Sequence, residues 1–117
     1  MMHNTGLSQA DIEAIKTAIS SCPKVEQSLI FGSRAKGTYR NGSDVDLALK
    51  GRELSFRDIS RISELLNEET NMPYHFDVLD YDRISEAELK NHINRKAICI
   101  YSRTPDSQKD SEEREAR

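Results

Sequence analysis

Asp44 and Asp46 stand one residue apart in the run Gly42-Ser43-Asp44-Val45-Asp46-Leu47, downstream of Gly32-Ser33-Arg34-Ala35-Lys36-Gly37. On a strand, alternate side chains share a face, so these two carboxylates project together from Cα atoms about 6.6 Å apart. Ionised carboxylates that close repel, and a hard divalent cation or pair of cations is the usual remedy. Mg²⁺ prefers oxygen ligands, keeps several waters, and typically takes one or two protein carboxylates plus substrate phosphates. Gly32-Ser33, where an apolar run gives way to a turn, offers what phosphates need: backbone N–H groups, a hydroxyl, and a glycine that lets the anion approach. Asp77 is the best third carboxylate. Phe76 and Val78 flank it and point the other way, which leaves Asp77 on the polar face, and from there it could also accept the proton of an attacking hydroxyl. Asp80 has the wrong parity and Asp82 lies beyond the strand.

Each element of this set has an ordinary reading too. A Gly-Ser turn is commonplace, and acidic residues on a strand are usually solvated; the joining of the two features is what points to a metal–phosphate site. Arg34 and Lys36 could neutralise a triphosphate or remain solvated in a short helix. His75 shares the parity of Asp77 and reads as a half-buried strand histidine, since no spaced partner makes it a ligand. Tyr39 could stack on a base, but a loop tyrosine needs no such role.

The combined pattern, Gly32-Ser33-Arg34-Ala35 and then Ser43-Asp44-Val45-Asp46-Leu47 with Asp77 on a later strand, resembles the nucleotidyltransferase superfamily typified by DNA polymerase beta, and within it the minimal nucleotidyltransferase branch. The likeness spans residues 8–101. It implies a small mixed sheet flanked by helices, Mg²⁺, as two ions, held by Asp44, Asp46 and Asp77, and ATP held at Gly32 and Ser33, with Arg34 as a further nucleotide contact. Small members of that branch are similar to antitoxins paired with a HEPN-domain ribonuclease toxin, some of which move AMP from ATP to a toxin tyrosine. The resemblance thus implies a protein adenylyltransferase acting as an antitoxin on a HEPN-domain partner encoded nearby. A non-catalytic module that occludes the toxin, and a small-molecule adenylyltransferase working with a partner subunit, are the alternatives.

The elements that must hold these residues are readable in outline. Ser8 with Asp11 makes a capping-box start for a helix carrying Ile12, Ile15, Ala18 and Ile19, which Pro23 stops. Val25 to Phe31 is β-compatible and runs into the Gly32 turn, then a short helix over Arg34 to Lys36 closed by Gly37. After a turn-rich loop from Thr38 to Ser43, Asp44 to Leu49 alternates, with Val45, Leu47 and Leu49 on an apolar face and Asp44, Asp46 and Ala48 on the other. Ser55 caps a helix striped with Phe56, Ile59, Ile62, Leu65 and Leu66, which crosses back over the sheet. A third strand, Tyr74 to Leu79, follows Pro73. Ile84, Ala87, Leu89, His92 and Ile93 suit a final helix, and Ala97 to Tyr101 a short apolar extension. The alternation implies an α/β or α+β fold with helices packed mainly on one face. Residues 1–102 make one minimal nucleotidyltransferase domain, and 103–117, polar and without periodicity, a disordered tail.

Composition narrows the function. The sequence has 117 residues, 32% charged and 36% hydrophobic, enough for one core but not for a second domain closing over an acceptor, so the acceptor should come from another protein. A net charge of −3 leaves no excess of cations for a polyphosphate backbone, and direct nucleic-acid binding is not expected. No apolar run nears the roughly 20 residues that cross a bilayer, and the N-terminus has no leader pattern. Cys22 and Cys99, far apart, suit two reduced thiols in a cytoplasmic protein.

Overall fold

The computed structural model describes residues 5–103. The chain runs α1 (Gln9–Ser20), β1 (Gln27–Phe31), α2 (Ser33–Lys36), β2 (Val45–Lys50), α3 (Phe56–Glu68), β3 (Phe76–Asp80), a 3₁₀ turn (Tyr81–Arg83), α4 (Ala87–Lys96) and β4 (Ile98–Ser102). The four strands form one mixed sheet in the order β3-β2-β1-β4. β1 pairs antiparallel with β2 and with β4, while β2 and β3, joined through α3, run parallel.

The sequence signals for helix starts hold. The Ser8 hydroxyl accepts from the Asp11 N–H and the Asp11 carboxylate accepts from the Ser8 N–H; Ser55 and Asp58 repeat the arrangement at α3. Each box satisfies two N–H groups that the helix itself leaves without partners. α1 and α3 then lay Ile15, Ile19, Ile62 and Leu66 against Ile30, Val45, Leu47, Leu49 and Phe76, all fully or almost fully buried.

Two expectations change. The apolar extension Ala97 to Tyr101 is a strand, β4, bonded to β1, so the sheet has four strands rather than three. The face of β2 opposite Val45 and Leu47 is polar only at one end: Ala48 is completely buried there with Phe31 and Ile93, and Leu29, Leu79 and Leu89 pack around them. α4 therefore covers that half of the second face while α1 and α3 cover the first. The alanine at position 48 leaves room for α4 to lie on the sheet, and the cover stops short of Asp46, which stays half-buried. Residues 104–117, the bulk of the tail expected to be disordered, lie outside the described residues.

Candidate active site

The pairing of β2 with β3 assembles the acidic cluster. Asp46 is the register partner of Asp77, as Val45 is of Phe76 and Leu47 of Val78. Partners in adjacent strands share a face, so the two carboxylates stand side by side while Phe76 and Val78 turn toward the core. Asp44 precedes β2 by one residue with the parity of Asp46; it is exposed, as is Asp77. The electrostatics show that the three form one cluster. Burial raises the Asp46 carboxyl above its ordinary value of 3.8, and the charges of Asp77 and Asp44 raise it further, with His75 opposing them.

The glycine turn meets the same cluster. Gly32 has φ 75° and ψ −151°, a conformation essentially restricted to glycine, and a Cβ built there would fall on the Asp46 carboxylate. The turn and the strand thus approach as closely as a glycine allows. The Gly32 carbonyl accepts from the Ala35 and Lys36 N–H groups, which starts α2, and Ser33 stands half-buried beside it. Gly37, at φ 80°, ends that helix in the left-handed conformation.

Other side chains hold these pieces in place. Asn67 of α3 grips the first residue of β3 with both ends of its amide: Phe76 N–H donates to Asn67 Oδ1 at 2.8 Å, and Asn67 Nδ2 donates to the Phe76 carbonyl at 3.0 Å. Asp77 follows immediately. Asp80 caps the 3₁₀ turn through the Asp82 N–H and pairs with Arg83 at 3.3 Å, so it serves the chain reversal and not the cluster.

Arg34, expected as a nucleotide contact, is enclosed by the chain's own groups. It is 3% exposed, with one terminal nitrogen donating to the Thr5 carbonyl at 2.8 Å and the other to the Ser43 carbonyl at 2.9 Å. The rings of Tyr39 and Tyr74 face its guanidinium at 5.1 and 4.9 Å. Among the described residues, aromatic faces and carbonyls rather than a carboxylate surround the buried cation. Through Ser43 it ties down the residue just before Asp44. Truncation to methionine leaves two carbonyls without their donor; Arg34→Met should cost about 2–4 kcal/mol in denaturant unfolding, with faster amide exchange in residues 40–43.

His75 departs from the half-buried strand position read for it. It is exposed, sits just before β3, and gives its carbonyl to the Val45 N–H at 2.9 Å. Lys36 is exposed on α2. The neighbour that sequence reasoning missed is His92 of α4, whose Nε2 accepts the Gly32 N–H at 3.0 Å and whose ring meets Phe31 edge-on. Helical periodicity marked His92 only as one position of a stripe, and nothing local in a chain places it against a turn 60 residues earlier.

Among the described residues no three His, Cys, Asp or Glu side chains form a ready-made metal cage. The chemistry of the donors nonetheless fits a hard cation, because the charges of Asp77 and Asp44 raise the Asp46 carboxyl and a positive charge beside it removes that penalty. Mg²⁺ also draws part of its shell from water and phosphates, so it does not need a closed protein cage. The cluster lies on an open face. An apolar groove of about 470 Å³, lined by Phe56, Ile59, Val78, Leu79, Ile84 and Leu89 among others, contains none of the three aspartates.

Residues 13–106 match the family model described as Polymerase beta, Nucleotidyltransferase. The chain belongs to that family. It is 34% identical over 104 residues to a Haemophilus influenzae protein named "Probable protein adenylyltransferase MntA", a match covering 82% of this chain and 88% of the relative. Its fold is similar to a chain in the crystal structure of a toxin–antitoxin with AMP-PNP, with a TM-score of 0.68 at 18% identity over 82% of this chain and 77% of that one. A chain from the complex of tri-AMPylated Shewanella oneidensis HEPN toxin with its MNT antitoxin superposes with a TM-score of 0.64 at 15% identity, covering 83% and 74%.

Proposed function

We propose that this chain is a Mg²⁺-dependent adenylyltransferase that moves AMP from ATP to a hydroxyl of a protein partner, a tyrosine of a HEPN-type toxin, and so acts as an antitoxin. The observation that carries the reading is the register pairing of Asp46 with Asp77 together with the approach of Gly32 to the Asp46 carboxylate, so close that a Cβ there would fall on it. The relative named "Probable protein adenylyltransferase MntA" and the toxin–antitoxin complexes of similar fold support the choice of acceptor. The open face supports it as well, since a partner can bring its own hydroxyl to the cluster.

Asp44, Asp46 and Asp77 would hold Mg²⁺, which would supply positive charge to the phosphates and to the attacking and leaving oxygens. Gly32 N–H and the Ser33 hydroxyl donate to the triphosphate and fix its orientation. Asp77, exposed at the front of β3, accepts the proton of the incoming hydroxyl. The hydroxyl oxygen bonds to the α-phosphorus in line as the bond from that phosphorus to the β-phosphate oxygen breaks, and pyrophosphate leaves. Arg34 positions Asp44 through the Ser43 carbonyl without touching the nucleotide.

The test is to mix the protein with ATP, Mg²⁺ and the HEPN-type product of the adjacent reading frame and weigh the partner intact. One or more added AMP units, absent with Asp77→Asn, is the expected result. A stable complex with no mass gain means an occluding module, and an adenylylated small molecule with no complex removes the protein acceptor. For the nucleotide contact, Ser33→Ala should weaken ATP binding by about 1–2 kcal/mol through loss of one charge-assisted hydrogen bond, read by calorimetric titration.

A further inference from the structure

The Gly32 N–H already has an acceptor, and that acceptor can ionise. His92 Nε2 takes this hydrogen bond at 3.0 Å, which requires a lone pair on Nε2 and therefore a neutral ring with its proton on Nδ1. The groups that act on the ring all favour that state. It is half-buried against Phe31, and the cations around it are Lys36 from α2 and Arg95 and Lys96 from α4 itself. Burial first, and then these three cations, lower the tendency of His92 to take a proton. On the other side of Gly32 stands the Asp46 carboxylate.

An arriving phosphate changes every part of this balance. If it takes the Gly32 N–H, as the reading of the turn in the preceding section holds and on which this inference rests, the displaced Nε2 lone pair is left facing an anion. A neutral acceptor beside a phosphate is repelled; a protonated imidazole there becomes a charge-assisted donor, and the phosphate charge offsets Lys36, Arg95 and Lys96. We propose that His92 is a nucleotide-responsive side chain, a stand-in acceptor for the Gly32 N–H in the free protein that becomes a donor to the phosphate that displaces it. The proton comes from solvent and returns there on release. No bond to phosphorus is made or broken by the histidine, so its part is to receive and hold the triphosphate.

The full chain titrated with AMP-PNP and Mg²⁺, in buffers of different ionisation enthalpy, reports the protons taken up on binding. His92→Gln is the reference, because glutamine can accept the N–H and cannot titrate. The wild type should take up more protons than the variant by a large part of one proton per site, and the ratio of their affinities should rise about tenfold between about pH 8 and about pH 6. A second reading needs no variant: the nitrogen resonances of His92 should pass from neutral to imidazolium when the analogue is added at about pH 7. Binding with equal proton uptake in both proteins, or a His92 that stays neutral when the site is filled, overturns this inference and leaves the nucleotide site standing. Failure of both proteins to bind the analogue overturns the nucleotide reading and the inference with it.

Discussion

Asp46→Asn should reduce Mg²⁺-dependent AMP transfer by about a thousandfold or more while making the metal-free protein more stable, a pairing of effects that an ordinary strand residue does not give. The activity loss follows because asparagine keeps the shape and removes the charge on which cation binding depends. The stability gain has a defined sign. The folded protein holds the Asp46 proton more tightly than the unfolded chain, whose value is the ordinary 3.8. Ionisation therefore disfavours the folded state, and stability is lost as pH rises from 3.8 through the raised folded value. Asparagine stays neutral throughout. The variant should unfold at higher temperature than wild type at neutral pH without divalent ions, the gap should close well below pH 3.8, and added Mg²⁺ should raise the midpoint of the wild type only. Asp44→Asn should match it in lost activity. Wild-type transfer by both purified variants would remove the metal assignment.

The parts of this site that a reader of sequence could see are those fixed by local periodicity. Alternation placed Val45, Leu47 and Leu49 on one face of β2 and Phe76 and Val78 on one face of β3, and a shared core then obliges Asp46 and Asp77 to meet on the other. The positive φ of Gly32 is similarly local, since a glycine between a strand and a helix start is there to turn. What stayed hidden depends on contacts across the chain. Arg34 read as either a nucleotide contact or a solvated cation in a short helix; only the folding of Thr5, Tyr39 and Tyr74 around it turns it into a buried clamp. Ala48 belonged by parity to the polar face, yet the same face holds Asp46 at one end and an α4-covered patch at the other, and no period of two distinguishes the ends. β4 escaped for a similar reason: five residues without clear alternation become a strand because the β1 edge offers them partners.

Gly32 offers the second large effect, because one added methyl group there meets two separate obstacles. Gly32→Ala puts a side chain on a backbone at φ 75° and ψ −151°, which costs about 1–3 kcal/mol in itself, and drives its Cβ onto the Asp46 carboxylate. Either the turn unwinds or Asp46 shifts. The Gly32 N–H then no longer lies where both His92 and a phosphate need it, so kcat/KM should fall at least about a hundredfold and Gly32→Val should be inactive. Gly37 supplies the comparison, for it also has a positive φ, yet among the described residues, its chain neighbours apart, nothing stands within 4 Å of where its Cβ would be. Gly37→Asn, which tolerates the left-handed region, should lose less than about 1 kcal/mol and keep its activity. The two costs at Gly32 separate in a double-mutant cycle on stability. In the Asp46→Ala background the collision with the carboxylate is gone and only the backbone cost remains, so Gly32→Ala should destabilise that protein by clearly less than it destabilises wild type. Equal destabilisation in the two backgrounds would mean that Gly32 and Asp46 are not in contact, and the site would lose the approach of turn to carboxylate on which the nucleotide reading is built.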